Sequence, residues 1–199
     1  MRGLYFENFL TLKAVERWEE QAMARDNSCK PVKVSRTIEA PADRIFAILA
    51  DPVRHLEFDG SDMLRGSLSD AMISGVGAVF SMKMHFEPLG GDYVMINKVI
   101  EYESGRRISW EPAPGDAIAA QDGAFTIGVP PGHKWTFELT PDGADTTIVT
   151  EIFDCSAAPE ELRDAVQNGE IWIDAMTATL ARLDSLCCAS PSVPERAGQ

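Results

Sequence analysis

The chain has 199 residues, 45% of them hydrophobic and 25% charged, the balance of a folded globular domain. Its 18 Lys and Arg face 31 Asp and Glu, a formal net charge of −13, which argues against nucleic acid or an anionic membrane as partner because phosphate binding needs clustered cations. No apolar run approaches the roughly 20 residues of a membrane span, no N-terminal segment has the order of a signal peptide, and four cysteines without a disulfide framework make the chain read as cytoplasmic.

Residues 1–30 stand apart. Phe9, Leu12, Val15, Trp18 and Met23 recur at helical spacing, which predicts an amphipathic helix over about 8–25, an extension and a candidate homodimer contact. Asp26-Asn27-Ser28 breaks it. The four cysteines, Cys29, Cys155, Cys187 and Cys188, form no CxxC motif and read as buried or inert thiols, with no metal or ordinary disulfide.

The domain proper, 31–188, opens on a strand. Val34, Arg36 and Ile38 alternate with Ser35, Thr37 and Glu39. Pro41 then starts a short helix, since its missing N–H is not needed in the first turn. Ile45, Phe46, Ile48 and Leu49 give that helix one apolar face, and Asp51-Pro52 ends it before a second helical turn. The cluster His55, Glu57, Asp59, Ser61 and Asp62 imitates a metal site, but its spacing fits a helix cap and turn.

A meander follows: 64–69, 78–87, 92–103, 106–111, 134–140 and 146–154, with turns at Gly90-Gly91, Ser104-Gly105 and Pro141-Asp142-Gly143. The stretch 113–131, rich in Pro, Gly and Ala, reads as a lid. A single long helix is expected from Pro159 to about Cys187, roughly 40 Å at 1.5 Å per residue. The tail 189–199 has a disordered composition. The order β, α, α, strands, long α predicts an α+β fold in which a curved antiparallel sheet of six to seven strands wraps the last helix.

This pattern resembles the helix-grip or START-like superfamily, the SRPBCC proteins that include birch-pollen-allergen-like folds, and within it the bacterial polyketide cyclase/dehydrase-like group. The likeness rests on Ile38-Glu39-Ala40-Pro41 through Asp51-Pro52, His55 to Ser61, Gly75-Val76-Gly77, Tyr93 with Asn97, Arg107 to Pro112, and His133-Lys134-Trp135. It covers about 32–187 and implies the fold. It does not fix an activity, because the superfamily holds carriers, cyclases and other functions.

Strand parity supplies the candidate site. If Phe80, Met82 and Met84 face the long helix, so do Tyr93, Met95, Asn97, Trp110, Trp135 and Phe137, with His133 and Glu151 in the same parity. Trp172 and Met176 would close the space from the helix. Such a face suits a hydrophobic small molecule of polyketide, lipid or aromatic type, with Tyr93, Asn97, His133 and Glu151 orienting a polar end and no cofactor implied. The alternative is a cyclase or dehydratase in which His133 is the general base and Glu151 its orienter. A third reading is an interaction module with a closed core. Gly75-Val76-Gly77 lacks the helix and Lys of a phosphate loop and reads as a turn.

Overall fold

The computed structural model describes residues 29–121 and 124–188. The expected N-terminal helix and the tail 189–199 lie outside the described residues. Seven strands form one antiparallel sheet: β1 (Val32–Ile38), β2 (Leu64–Ser67), β3 (Val79–Phe86), β4 (Gly91–Glu103), β5 (Arg107–Pro114), β6 (Lys134–Pro141) and β7 (Thr147–Asp154). Their spatial order is β1-β7-β6-β5-β4-β3-β2, so the first strand pairs with the last. This is the α+β architecture expected, with seven strands in the sheet.

Two short helices follow β1. Helix α1 (Ala42–Leu49) starts at Pro41, which is extended at φ −61° and ψ 144°, and buries Ile45, Phe46, Ile48 and Leu49. Asp51 then accepts a hydrogen bond from the Val53 backbone N–H at 3.1 Å, which starts the 3-10 turn Pro52–Arg54 and delivers the chain into α2 (His55–Phe58). That Asp-Pro junction does what its sequence suggests: the carboxylate caps and the proline fixes φ.

The C-terminal segment departs from expectation. The predicted single helix from Pro159 to Cys187 is broken into α3 (Glu160–Ala165), a 3-10 segment Gln167–Trp172, and α4 (Ile173–Cys188). Gln167, Asn168 and Gly169 all have positive φ, at 49°, 52° and 98°. Asn-Gly is a common left-handed helix stop, and here it reverses the chain against β7. A Cβ on Gly169 would lie 2.6 Å from the Phe153 ring and 3.1 Å from Val32, so the close approach also calls for glycine. Helix α4 alone, at 16 residues, is roughly 24 Å long.

Packing divides the sheet into a filled half and a hollow half. Under α1 and the C-terminal part of α4, Ile38, Ile45, Leu49, Val99, Ile108, Val149, Leu180 and Leu183 form a dense core. Each such buried side chain contributes about 1.5–3 kcal/mol by leaving water. A second cluster, Phe153, Cys155, Ala158 and Met176, lies under the N-terminal part of α4 with Trp135 and Trp172 packed on it. Cys29 and Cys155 are free thiols whose sulfurs lie 3.4 Å apart. The pairing brings together residues far apart in the chain, and burial with the Cys29 contact pushes the Cys155 thiol up to about 12.

Among the described residues, no helix is long and apolar enough to cross a membrane.

Candidate functional site

Strand register assembles the inward face. Met84 pairs with Tyr93, Met82 with Met95 and Phe80 with Asn97 across β3 and β4. Asn97 continues to Pro112, and Val99 to Trp110, on β5. Trp110 pairs with Trp135, and Ile108 with Phe137. On β7, Phe153 faces Trp135 and Glu151 faces Phe137. A shift between Val99 and Glu101 inserts one residue in β4, so Tyr102 also turns inward, where it meets Phe46 edge-on at 5.2 Å.

Between this face and the N-terminal half of α4 lies a cavity of about 490 Å³. All of the residues expected to contact a ligand border it: Phe80, Met82, Met84, Tyr93, Met95, Asn97, Trp110, Trp135, Phe137, Trp172 and Met176, together with His133 and Glu151. The stretch expected as a lid contributes Pro114, Ala119, Gln121, Phe125 and Pro131 to the wall. Its first two residues belong to β5, and Asp116 fastens it by accepting hydrogen bonds from the Val94 N–H at 2.7 Å and the Ala119 N–H at 2.8 Å.

Among the described residues, three buried side-chain polar atoms have no hydrogen-bond partner: His133 Nδ1, Glu151 Oε2 and Trp172 Nε1. All three residues border the cavity. Burial lowers the His133 pKa to about 4, so the ring is neutral at physiological pH. Burial, aided by the nearby Asp59 charge, raises the Glu151 carboxyl well above its ordinary range. Burial likewise pushes the Tyr93 hydroxyl up to about 12. Asn97 donates only a long bond, 3.5 Å, to the Phe80 carbonyl.

His133 and Glu151 share the cavity but no hydrogen bond joins them. The His133 ring instead lies 5.7 Å from Phe153. The general-base and orienter contact suggested by their parity is therefore not made in this structure.

The cluster after α2 divides its members. Glu57 pairs with Arg54 at 2.8 Å. Asp59 accepts from Ser61 Oγ at 2.8 Å and from the Leu64 N–H at 3.2 Å, and Asp62 pairs with Arg182 of α4 at 2.9 Å. Asp59 makes the turn contacts expected of this cluster, whereas Glu57 and Asp62 form a local and a long-range ion pair. Among the described residues, no three of His, Cys, Asp and Glu come together in a metal-holding group. His55 departs from the group: its ring is buried beside Phe58, Phe80 and Trp110, and its Nε2 lies 2.8 Å from the Leu49 carbonyl. Burial lowers its pKa, so that nitrogen carries the proton and donates.

The loop also grips α4. The Gly60 N–H donates to Thr179 Oγ1 at 2.9 Å, and Arg182 donates to the Asp59 carbonyl. A Cβ at Gly60 would lie 2.2 Å from the Ala175 carbonyl oxygen. Wall residues not named in advance include His55, Asp59, Phe153, Leu162 and Thr179. Phe153 carried a usable signal, its shared parity with Glu151. The others reach the cavity through loop and helix placement.

No family model matches the chain. It is 34% identical over 141 residues to an uncharacterized protein of Mycobacterium tuberculosis H37Rv, a match covering 70% of this chain and 52% of that one. An uncharacterized protein of strain CDC 1551 matches to the same extent. The chain thus spans about half the length of the curated relatives it matches. Among solved structures, a protein from Arthrobacter aurescens superposes with a TM-score of 0.58 at 14% identity, covering 88% of this chain and 96% of that one. A protein from Chromobacterium violaceum gives 0.56 at 16%, covering 80% and 98%. One from Mycobacterium smegmatis gives 0.56 at 18%, covering 81% and 93%. These likenesses show a shared fold.

Proposed function

We propose that the chain is a small-molecule-binding protein of the SRPBCC, START-like kind, holding a polyketide-, lipid- or aromatic-type metabolite between its sheet and α4. The observation that carries this reading is the cavity of about 490 Å³, walled by aromatic and thioether groups, with three buried polar atoms lacking partners. The volume falls within the range of about 300–1,000 Å³ usual for ligand pockets. Each unsatisfied buried group costs about 1–3 kcal/mol, which a ligand of matching polarity recovers.

The cyclase or dehydratase alternative has less support. With a pKa of about 4 the His133 ring is a weak base, and Glu151, whose carboxyl burial pushes upward, makes no hydrogen bond to it. The open cavity also speaks against the closed-core interaction module.

The test combines two measurements. Native mass spectrometry of protein from its own host should reveal a co-purifying small molecule. Titration with the neutral dye N-phenyl-naphthylamine should quench tryptophan emission, since Trp110, Trp135 and Trp172 border the cavity. Met95→Trp, which fills the space, should weaken the dye by at least about tenfold, roughly 1.4 kcal/mol. A protein that carries no small molecule and ignores the dye would rule the reading out.

A further inference from the structure

The charges around the cavity narrow the ligand class. Among the described residues, its wall contains no Lys or Arg, but two carboxyl groups, Asp59 and Glu151. An anionic ligand would enter with no countercharge and meet two acids, an arrangement that burial makes very unfavourable. Fatty acids and phosphorylated head groups are thereby disfavoured. The whole chain, at a formal charge of −13, attracts cations and repels anions as they approach.

Glu151 is the informative residue. It sits in the interior of the sheet, between Phe137 of β6 and Val34 of β1. Phe153 lies two residues along the same strand face, and Trp135 is its diagonal neighbour across the β6–β7 pair. Trp135, Phe153 and Trp172 pack against one another with ring centroids 4.7, 5.9 and 6.2 Å apart. Glu151 is 6% exposed, and its Oε2 has no partner. A neutral hydrogen-bonding role at this place needs only an amide. What a carboxyl adds is the capacity to ionise when a positive charge arrives, and aromatic rings around it stabilise the same charge through their π faces.

We propose that the cavity selects a cationic ligand, an apolar or aromatic molecule carrying one basic nitrogen, whose ammonium group pairs with Glu151 among Trp135, Phe137 and Phe153. This rests on the binding reading above and sharpens it. Asp59 adds a second negative charge from the loop after α2, and neutral His133 can accept a hydrogen bond from the ammonium. The Trp172 N–H is left for an oxygen elsewhere on the ligand. The arriving ammonium favours the ionised carboxylate of Glu151, and any proton the carboxyl gives up on pairing passes to solvent. The other titratable groups on the wall are His55 on α2 and Tyr93 on β4, while β1 and α4 present Val34, Ala175, Met176 and Thr179 near this region.

The test uses three probes on one scaffold at neutral pH: naphthylethylamine, naphthylethanol and naphthylacetic acid. Isothermal titration should give an amine at least about tenfold tighter than the alcohol, and an acid weaker than both. In Glu151→Gln the preference for the amine over the alcohol should disappear. With wild-type protein alone, titrations in two buffers of different ionisation heat should show more proton release with the amine than with the alcohol, a readout independent of how any variant folds. An alcohol or acid that binds as tightly as the amine overturns the charge assignment and leaves the cavity reading standing. An amine preference that survives in Glu151→Gln overturns the role of Glu151. Binding of none of the three overturns both.

Discussion

Replacing Gly169 by Ala tests the break that separates α3 from α4 and shapes the hollow half of the sheet. At φ 98° an alanine is strained, at about 1–3 kcal/mol. Its Cβ would also sit 2.6 Å from the Phe153 ring, an overlap that forces the ring or the turn to move and costs about 1–3 kcal/mol more. A combined loss of about 3 kcal/mol is expected. For a domain of this size that lowers the melting temperature by about 6–12 °C, measurable by circular dichroism. Phe153 touches Trp135 and Trp172, so its displacement should also weaken dye binding. Asn168→Gly is the control: its φ of 52° suits glycine, and stability should change by no more than about 1 kcal/mol. A Gly169→Ala protein that melts within about 2 °C of the wild type would refute both the close approach and the need for a left-handed residue there.

Two further outcomes follow from the same geometry. Gly60→Ala places a methyl group 2.2 Å from the Ala175 carbonyl oxygen and 2.4 Å from the Thr179 nitrogen, both in the α4 backbone, so denaturant unfolding should show a loss of about 3 kcal/mol or more; an unchanged midpoint would mean that the loop does not grip the helix. His133 is buried neutral with its pKa lowered from 6.5 to about 4, so the unfolded chain takes up a proton first and stability falls as pH drops from about 6.5 to about 4, by at most about 3 kcal/mol. His133→Phe should flatten that limb when unfolding at pH 7 and pH 4.5 is compared, and an identical slope in the variant would show that the ring is not buried neutral.

Much of the sheet was legible because its face alternates cleanly. Phe80, Met82 and Met84 could be placed against Tyr93, Met95 and Asn97 by parity alone, and register does pair them. The extra residue near Val99 was not visible, because a bulge changes which face follows without any change in composition. The division of the last helix carried a local signal, Asn168-Gly169, but apolar residues at helical spacing continue on both sides and mask it. His55 looked like a turn residue among carboxylates. Its burial depends on Phe80 and Trp110, which are distant in sequence, and no local pattern encodes that. Glu151 could be placed on the inner face, yet shared parity did not predict that no hydrogen bond joins it to His133.

The pairing of β1 with β7 gives the molecule a particular history. Val34 meets Glu151 across that seam, 117 positions later in the chain. Contacts of such separation close large loops and form late, which slows folding relative to a helical bundle of equal size. The cavity floor is closed only when β7 joins β1, so a chain ending short of β7 would lack Glu151 and Phe153 and the seam they form. A ligand bound at this seam, as proposed above, would tie the first strand to the last and link occupancy to the folding equilibrium.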